Sequence, residues 1–280
     1  MELNGRVVVI TGGGSGIGEA LARAAAGAGA RHVVVADLNA AEAGRVAADI
    51  GGTPIEIDVS EEEQVNGLVE RVEADYGPVD LFCSNAGFVT TAGLEESNET
   101  IQAMWEVHVL SHVYAARAAI PSMIARGEGY LLNTASAAGL LTQVGSMAYA
   151  ITKHAAVALA EWLAITHHHQ GIRVSVLCPQ AVRTNIVTNS PSYRPTTDTS
   201  GLGVAAVDGI LEAGEVATLC LDAIAEERFW VLPHPEVASY VKRKADDIDR
   251  WLAGMRRFQA NLYSDAPLPG DAIAPGHPAG

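Results

Sequence analysis

Seven short apolar runs, each separated from the next by a longer stretch with helical spacing, constrain this chain more than any other feature. The runs are RVVVIT (6–11), HVVVAD (32–37), PIEIDV (54–59), VDLFCS (79–84), YLLNTA (130–135), IRVSVLC (172–178) and FWVL (229–232). The helix-like segments are 16–29, 39–50, 61–76, about 100–126, 147–170 and 213–227. Strands apolar on both faces, each followed by a helix, are what a parallel sheet covered on both sides requires. The unbroken alternation predicts one doubly wound α/β domain of about seven strands, spanning 1–264. With 49% hydrophobic residues in 280, the chain has ample material for one large core.

Two regions break the rhythm. Residues 185–212 are rich in Ser, Thr, Pro and Gly and follow the sixth run, so they read as a binding loop or lid, with a plain surface loop as the alternative. Residues 265–280 (DAPLPGDAIAPGHPAG) have little to bury and read as a disordered tail, or one ordered by a neighbouring subunit. Between 235 and 260 the spacing predicts a single helix with an apolar stripe suited to packing or to a subunit contact.

Charge narrows the partners. Eighteen basic against 33 acidic residues give a net −15, which repels phosphate backbones and anionic lipid heads, so neither nucleic acid nor a membrane surface is expected. Three scattered cysteines, Cys83, Cys178 and Cys220, argue against a disulfide framework and a structural zinc site. His167, His168 and His169 are consecutive on a helix and point in different directions, so no metal is expected there. The start MELNGRVVVI lacks the pattern of a signal peptide, and the uncharged stretch 131–152 carries too many polar residues for a membrane span. A cytoplasmic protein is expected.

Thr11-Gly12-Gly13-Gly14-Ser15-Gly16-Ile17-Gly18 follows the first strand and opens the first helix. Glycines let the backbone approach a ligand closely, and a helix N-terminus presents unpaired N–H groups to a pyrophosphate. The spacing is G-x-x-x-G-x-G, and by itself it does not separate a phosphate cradle from an ordinary turn. Asp37 sharpens it. This carboxylate ends the second strand, 19 residues after Gly18, where it can accept from a ribose diol and repel a 2′-phosphate; Leu38 offers no cation to offset that. NAD is therefore expected over NADP, with helix N-capping as the other reading of Asp37. Tyr149 and Lys153, four apart on a helix, share a face, and a lysine ammonium there is expected to lower the phenol's pKa into a useful range. Ser136 follows the fifth strand, at the sheet edge where ligands bind.

The order of these pieces resembles the short-chain dehydrogenase/reductase family in its single-domain, Rossmann-type form. The matching motifs are TGGGSGIG (11–18), Asp58-Val59, Asn85-Ala86-Gly87, Ser136 thirteen residues before Tyr149, YAITK (149–153), and Cys178-Pro179 leading to Thr184. The resemblance covers residues 5–185. It implies that Tyr149 is the general acid/base, that Lys153 lowers its pKa and holds the nicotinamide ribose, and that Ser136 orients the substrate oxygen. It further implies that Gly12, Ser15, Gly16, Ile17 and Gly18 face the phosphates, and that Asp37 and Leu38 meet the adenosine ribose. Asp58 and Val59 would flank the adenine, Asn85, Ala86 and Gly87 the neighbouring ribose, and Val182 and Thr184 the carboxamide. A homotetramer built on helices 100–126 and 147–170 is the family expectation.

The chain departs from the pattern at Val107-His108-Val109-Leu110-Ser111, where His108 stands for an Asn that helps carry protons from the lysine. His108 can relay protons itself or merely fill the space. Gln180 replaces a glycine after Pro179 and either crowds the nicotinamide pocket or adds a polar contact. Phe88, Leu140, Leu141, Val144, Ile186 and Tyr193 suggest an apolar substrate pocket, and LPHPE (232–236) resembles members acting on bulky hydrophobic alcohols. The expected reaction is hydride exchange between NAD and a lipophilic secondary alcohol or ketone. The alternatives are a non-catalytic NAD sensor, from which the Tyr or Lys is typically lost, and a sugar-nucleotide epimerase or dehydratase, for which the chain is short.

Overall fold

A computed structural model describes residues 1–186, 190 and 203–264. The elements run β1 (Val7–Thr11), α1 (Gly16–Gly27), β2 (His32–Asp37), α2 (Ala40–Ile50), β3 (Thr53–Glu56), α3 (Glu62–Tyr76), β4 (Leu81–Ser84) and α4 (Asn98–Trp105). A π turn at Glu106–Leu110 leads into α5 (Ser111–Arg126), then β5 (Gly129–Thr134), α6 (Ala138–Leu141), α7 (Met147–His167) and β6 (Ile172–Leu177). The chain ends with β7 (Val182–Arg183), β8 (Leu211–Glu212), α8 (Ala213–Ala225), β9 (Trp230–Val231), α9 (Glu236–Asp246) and α10 (Ile248–Leu262).

Each of the seven apolar runs supplies a strand to one parallel sheet, in the order β3-β2-β1-β4-β5-β6-β9. Alternate side chains of β1 feed two separate cores. Val7 and Val9 pack with Val69, Val72 and Met123 of α3 and α5, while Val8 and Ile10 pack with Leu21, Val46 and Ile224 of α1, α2 and α8. This is why β1 is apolar throughout. β3 alternates because it lies at the sheet edge and exposes one face. The chain leaves β1 toward β2 and β3, then crosses back to β4, so the strand order reverses between β1 and β4. A crevice at the carboxyl ends of these strands is the consequence.

Several expectations need correction. The run at 54–59 is a strand only over Thr53–Glu56. The helix expected at about 100–126 is α4, the π turn and α5. The single helix expected at 235–260 is two. Asp247 adopts an extended backbone (φ −157°, ψ 94°) and its side chain accepts from Arg250 N at 2.9 Å, ending α9 and capping α10. The segment 185–212 ends in β8, which pairs with β7 just ahead of it in a two-strand ribbon, while residues 187–189 and 191–202, Tyr193 among them, lie outside the described residues, as does the tail 265–280.

Candidate active site

A cleft of about 1120 Å³ runs along the carboxyl edge of the sheet, from Asp37 and Leu38 to Tyr149 and Lys153. At one end the chain turns through Gly12 and Gly16, both left-handed (φ 63° and 54°). A Cβ on Gly18 would lie 2.0 Å from Gly12 O, so only glycine allows α1 to start this close to β1. Ser15 caps α1 by position, yet its side chain makes no capping hydrogen bond. The first-turn N–H groups therefore remain available, together with the partial positive charge of the helix end, within a chain of net −15.

Asp37 braces this turn. Its Oδ2 accepts from Gly14 N at 2.8 Å and its Oδ1 from Asn39 N at 2.9 Å. Helix N-capping, the alternative role considered for Asp37, belongs to Asn39, whose Oδ1 accepts from Ala41 N and Glu42 N. Leu38 is exposed at the cleft wall, with Asp58 and Val59 opposite in the lining. The Asn85 side chain is engaged within the protein: Nδ2 donates to Thr11 O at 3.1 Å and Oδ1 accepts from Thr134 Oγ1 at 3.2 Å. Asn85 thus ties β1 to β5, and the stretch Asn85-Ala86-Gly87 lines the cleft beside it. Val182 and Thr184 line the same cleft, and a Cβ on Gly16 would come within 3.0 Å of Thr184.

The other end is made of side chains. Lys153 is 3% exposed, and its Nζ donates to Thr134 O at 3.0 Å and stands 5.6 Å from the centre of the Tyr149 ring. Burial, only partly opposed by Cys178, lowers the Lys153 ammonium to about 8. The expected depression of the Tyr149 phenol by this ammonium is not what the structure shows. Burial raises the phenol, and the nearby Ser136 hydroxyl, which donates to Pro179 O at 3.4 Å, pulls it the other way. The physical reason is that both groups share one water-poor pocket, which disfavours charge on each. Ser136 Oγ also accepts from Ala138 N at 3.1 Å, so α6 fixes its position.

His108 sits in the π turn, fully buried, and does not line the cleft. Its Nε2 accepts from Phe88 N at 3.2 Å; Nδ1 faces Thr152 Oγ1 at 2.9 Å, and that hydroxyl in turn lies 2.9 Å from Ala148 O. This chain of bonds fits a neutral ring with its proton on Nδ1. Burial and the nearby Lys153 hold its pKa well below the usual histidine value. With both nitrogens committed, His108 anchors the Phe88 backbone. Gln180 adds polar contacts: its Nε2 donates to Asp208 at 2.7 Å and its N to His234 Nδ1 at 3.2 Å. Of the expected apolar wall, Phe88 and Ile186 border the cleft and Leu141 a cavity beside it, whereas Leu140 packs on the core and Val144 lines neither.

Sequence reasoning missed Thr11, Thr134 and Thr152. Thr11 Oγ1 accepts from Asn85 N at 3.0 Å and holds the two strand ends together. Its place at the head of the glycine motif was a signal; Thr134 and Thr152 carried none. Among the described residues no cluster of His, Cys, Asp and Glu is placed to hold a metal, and no helix is long and apolar enough to cross a membrane.

A family model described as short chain dehydrogenase matches residues 6–194. The chain belongs to that family. It is 34% identical over 262 residues to 1-deoxy-11-beta-hydroxypentalenate dehydrogenase of Streptomyces exfoliatus, covering 90% of this chain and 92% of the relative. It is also 34% identical over 192 residues to 3beta-hydroxysteroid dehydrogenase 2 of Eggerthella lenta, covering 66% and 74%. Among solved structures, a short-chain dehydrogenase/reductase from Burkholderia phymatum in complex with NAD superposes with a TM-score of 0.80 at 33% identity, covering 89% of this chain and 96% of the other. This short-chain dehydrogenase is thus an oxidoreductase acting on hydroxyl or carbonyl groups with a nicotinamide cofactor. The cleft fits such a dinucleotide: glycines leave room where a Cβ would intrude, and the open helix end supplies donors for the phosphates.

Proposed function

We propose that the protein exchanges a hydride between NAD and a lipophilic secondary alcohol or ketone, with Tyr149 as the general acid/base. The observation that carries this reading is the meeting of Tyr149, Ser136 and Lys153 at the closed end of a cleft whose other end is a glycine cradle. Bound NAD would supply the hydride acceptor. It would be held by Gly12, Ser15, Gly16, Ile17 and Gly18 at the phosphates and by Asp37 and Leu38 at the adenosine ribose. Asp58 and Val59 would meet the adenine, and Asn85, Ala86, Gly87, Val182 and Thr184 the nicotinamide half, with Tyr149 and Lys153 reaching its ribose. Asp37, a carboxylate with no cation within ion-pair distance among the described residues, favours a free 2′-hydroxyl and hence NAD over NADP.

In oxidation the carbinol proton passes to Tyr149 Oη while the Ser136 hydroxyl donates to the substrate oxygen and fixes its distance. Lys153, protonated at neutral pH, offers three donors, of which Thr134 O takes one. Its charge faces the phenolate that takes the carbinol proton. In reduction the same phenol donates. Phe88 and Ile186 give the cleft apolar borders, which suits a hydrophobic substrate. The retention of both Tyr149 and Lys153 weighs against a non-catalytic sensor. We infer further a homo-oligomer, a tetramer on the family pattern, because α7 leaves Ile151, Trp162 and Ile165 exposed on its surface. A panel of hydrophobic cyclic alcohols, each with NAD and with NADP and read by absorbance of the reduced cofactor, tests the reaction. Turnover with NAD supports it; no turnover with any alcohol or ketone overturns it.

A further inference from the structure

A second cavity, of about 260 Å³, opens off the reactive end of the cleft and shares Ser136, Gln143, Gln180 and Ala205 with it. Its walls are largely apolar: Leu141 and Val207 on one side, Trp251, Met255 and Phe258 of α10 on the other. Two charged side chains interrupt them, Asp208 and Arg243. They differ in what they still need. Asp208 is satisfied, since Oδ2 accepts from Gln180 Nε2 at 2.7 Å and Oδ1 from Tyr240 OH at 2.9 Å. Arg243 has no carboxylate within ion-pair distance among the described residues.

The Arg243 side chain is exposed, and its guanidinium lies over the Tyr240 ring, 5.7 Å from its centre, a contact that leaves its charge unneutralised. Tyr240 is tied through Asp208 to Gln180, and Gln180 through its own N–H to His234. A string of hydrogen bonds therefore ties Tyr240, over whose ring the exposed Arg243 lies, to the loop that carries Pro179 and Gln180 along the reactive cleft. In a chain of net −15, an anion settles only where a local cation offsets the field. An apolar cavity that begins at the substrate-facing Ser136 and ends at an unpaired guanidinium is complementary to an elongated molecule. One end is a carbinol, the middle is hydrocarbon and the far end is an anion.

Resting on the dehydrogenase reading above, we propose that Arg243 makes the enzyme selective for lipophilic hydroxy acids. The hydrocarbon body would fill the second cavity, and a carboxylate remote from the reacting carbinol would pair with the guanidinium. Arg243 is thus a specificity-determining residue rather than a catalytic one. The guanidinium fork can donate bidentately to a carboxylate, and because Arg243 is exposed to solvent such a pair is worth about twofold to fivefold in kcat/KM.

The test compares 4-(4-hydroxycyclohexyl)benzoate with its carboxamide, a neutral near-isostere, as substrates with NAD for the parent protein, Arg243→Gln and Arg243→Lys. Calorimetry of unreactive 4-cyclohexylbenzoate and 4-cyclohexylbenzamide binding to the NAD-loaded protein gives a second readout. The proposal expects the parent to prefer the carboxylate about twofold to fivefold, chiefly through KM, with the same preference in binding. The carboxylate-to-amide ratio should collapse toward one in Arg243→Gln and stay partly in Arg243→Lys. Equal use and equal binding of the two compounds by the parent, or a ratio unchanged in Arg243→Gln, overturns it. If no alcohol is oxidised at all, the dehydrogenase reading falls, and the calorimetric ratio still decides the role of Arg243.

Discussion

At the glycine end of the cleft the protein presents backbone, at the reactive end it presents buried side chains, and the two ends respond to change in different ways. The cradle works through geometry: left-handed turns at Gly12 and Gly16, an open helix N-terminus, and Asp37 and Asn85 bracing the loop from either side. The reactive end works through burial. Lys153 and Tyr149 share a pocket that disfavours charge on both, so their protonation is set by what surrounds them. Shape can be damaged by one methyl group. Protonation is tuned by pH.

The largest expected effect on cofactor binding breaks the geometric end. Gly18→Ala places a Cβ 2.0 Å from Gly12 O, so the loop must move. Strain of this kind costs about 1–3 kcal/mol and displaces the phosphate donors as well, so NAD binding should weaken by ~100-fold or more, as calorimetry would show. Lys153→Met addresses the buried end. The lysine titrates near 10.5 in the unfolded chain and at about 8 in the fold. Below about 8 both states are protonated and the burial cost is fully present; between about 8 and 10.5 the unfolded state holds more protons, so stability rises with pH until the cost is gone. Chemical denaturation of the cofactor-free protein should therefore find Lys153→Met more stable than the parent by about 3 kcal/mol at pH 7, with the gap closing toward pH 10.5. A gap that does not change with pH would contradict a buried ammonium.

Asp37→Ala sharpens the comparison at smaller scale. It removes a carboxylate that both repels a 2′-phosphate and braces Gly14, so the NAD-to-NADP ratio of binding constants should narrow by roughly tenfold. A parent protein that already prefers NADP would show that Asp37 does not read the ribose.

The same contrast explains how much was legible in the sequence. The seven strands and the cradle are written locally, in β-branched runs and in glycines at fixed spacing. Each needs only neighbouring residues to act. The state of Lys153 depends on Thr134 of β5, Gly87 after β4 and the π turn, which no local pattern announces. A lysine four residues from a tyrosine suggests a lowered phenol pKa, and only the packing around the pair reveals that burial prevails. His108 is similar: its spacing permits a proton relay, whereas Thr152 and the Phe88 N–H occupy both nitrogens. The wall of the second cavity joins residues near 141, 207 and 243–258, too far apart in sequence for any motif to unite. The break at Asp247 carried a visible sign, an Asp ahead of a new apolar period, which the continuous stripe across 235–260 obscured.

The pH dependence of kcat/KM for oxidation of a reactive alcohol with NAD, compared between the parent and Tyr149→Phe, tests the role of the phenol most directly. Because the base form must take the carbinol proton and burial raises that phenol, oxidation should climb as pH increases above neutrality, and ketone reduction should decline over the same range. Tyr149→Phe should lose about 10²–10⁴-fold in rate together with that rise. A variant that keeps both the parent's rate and its pH profile would contradict the account.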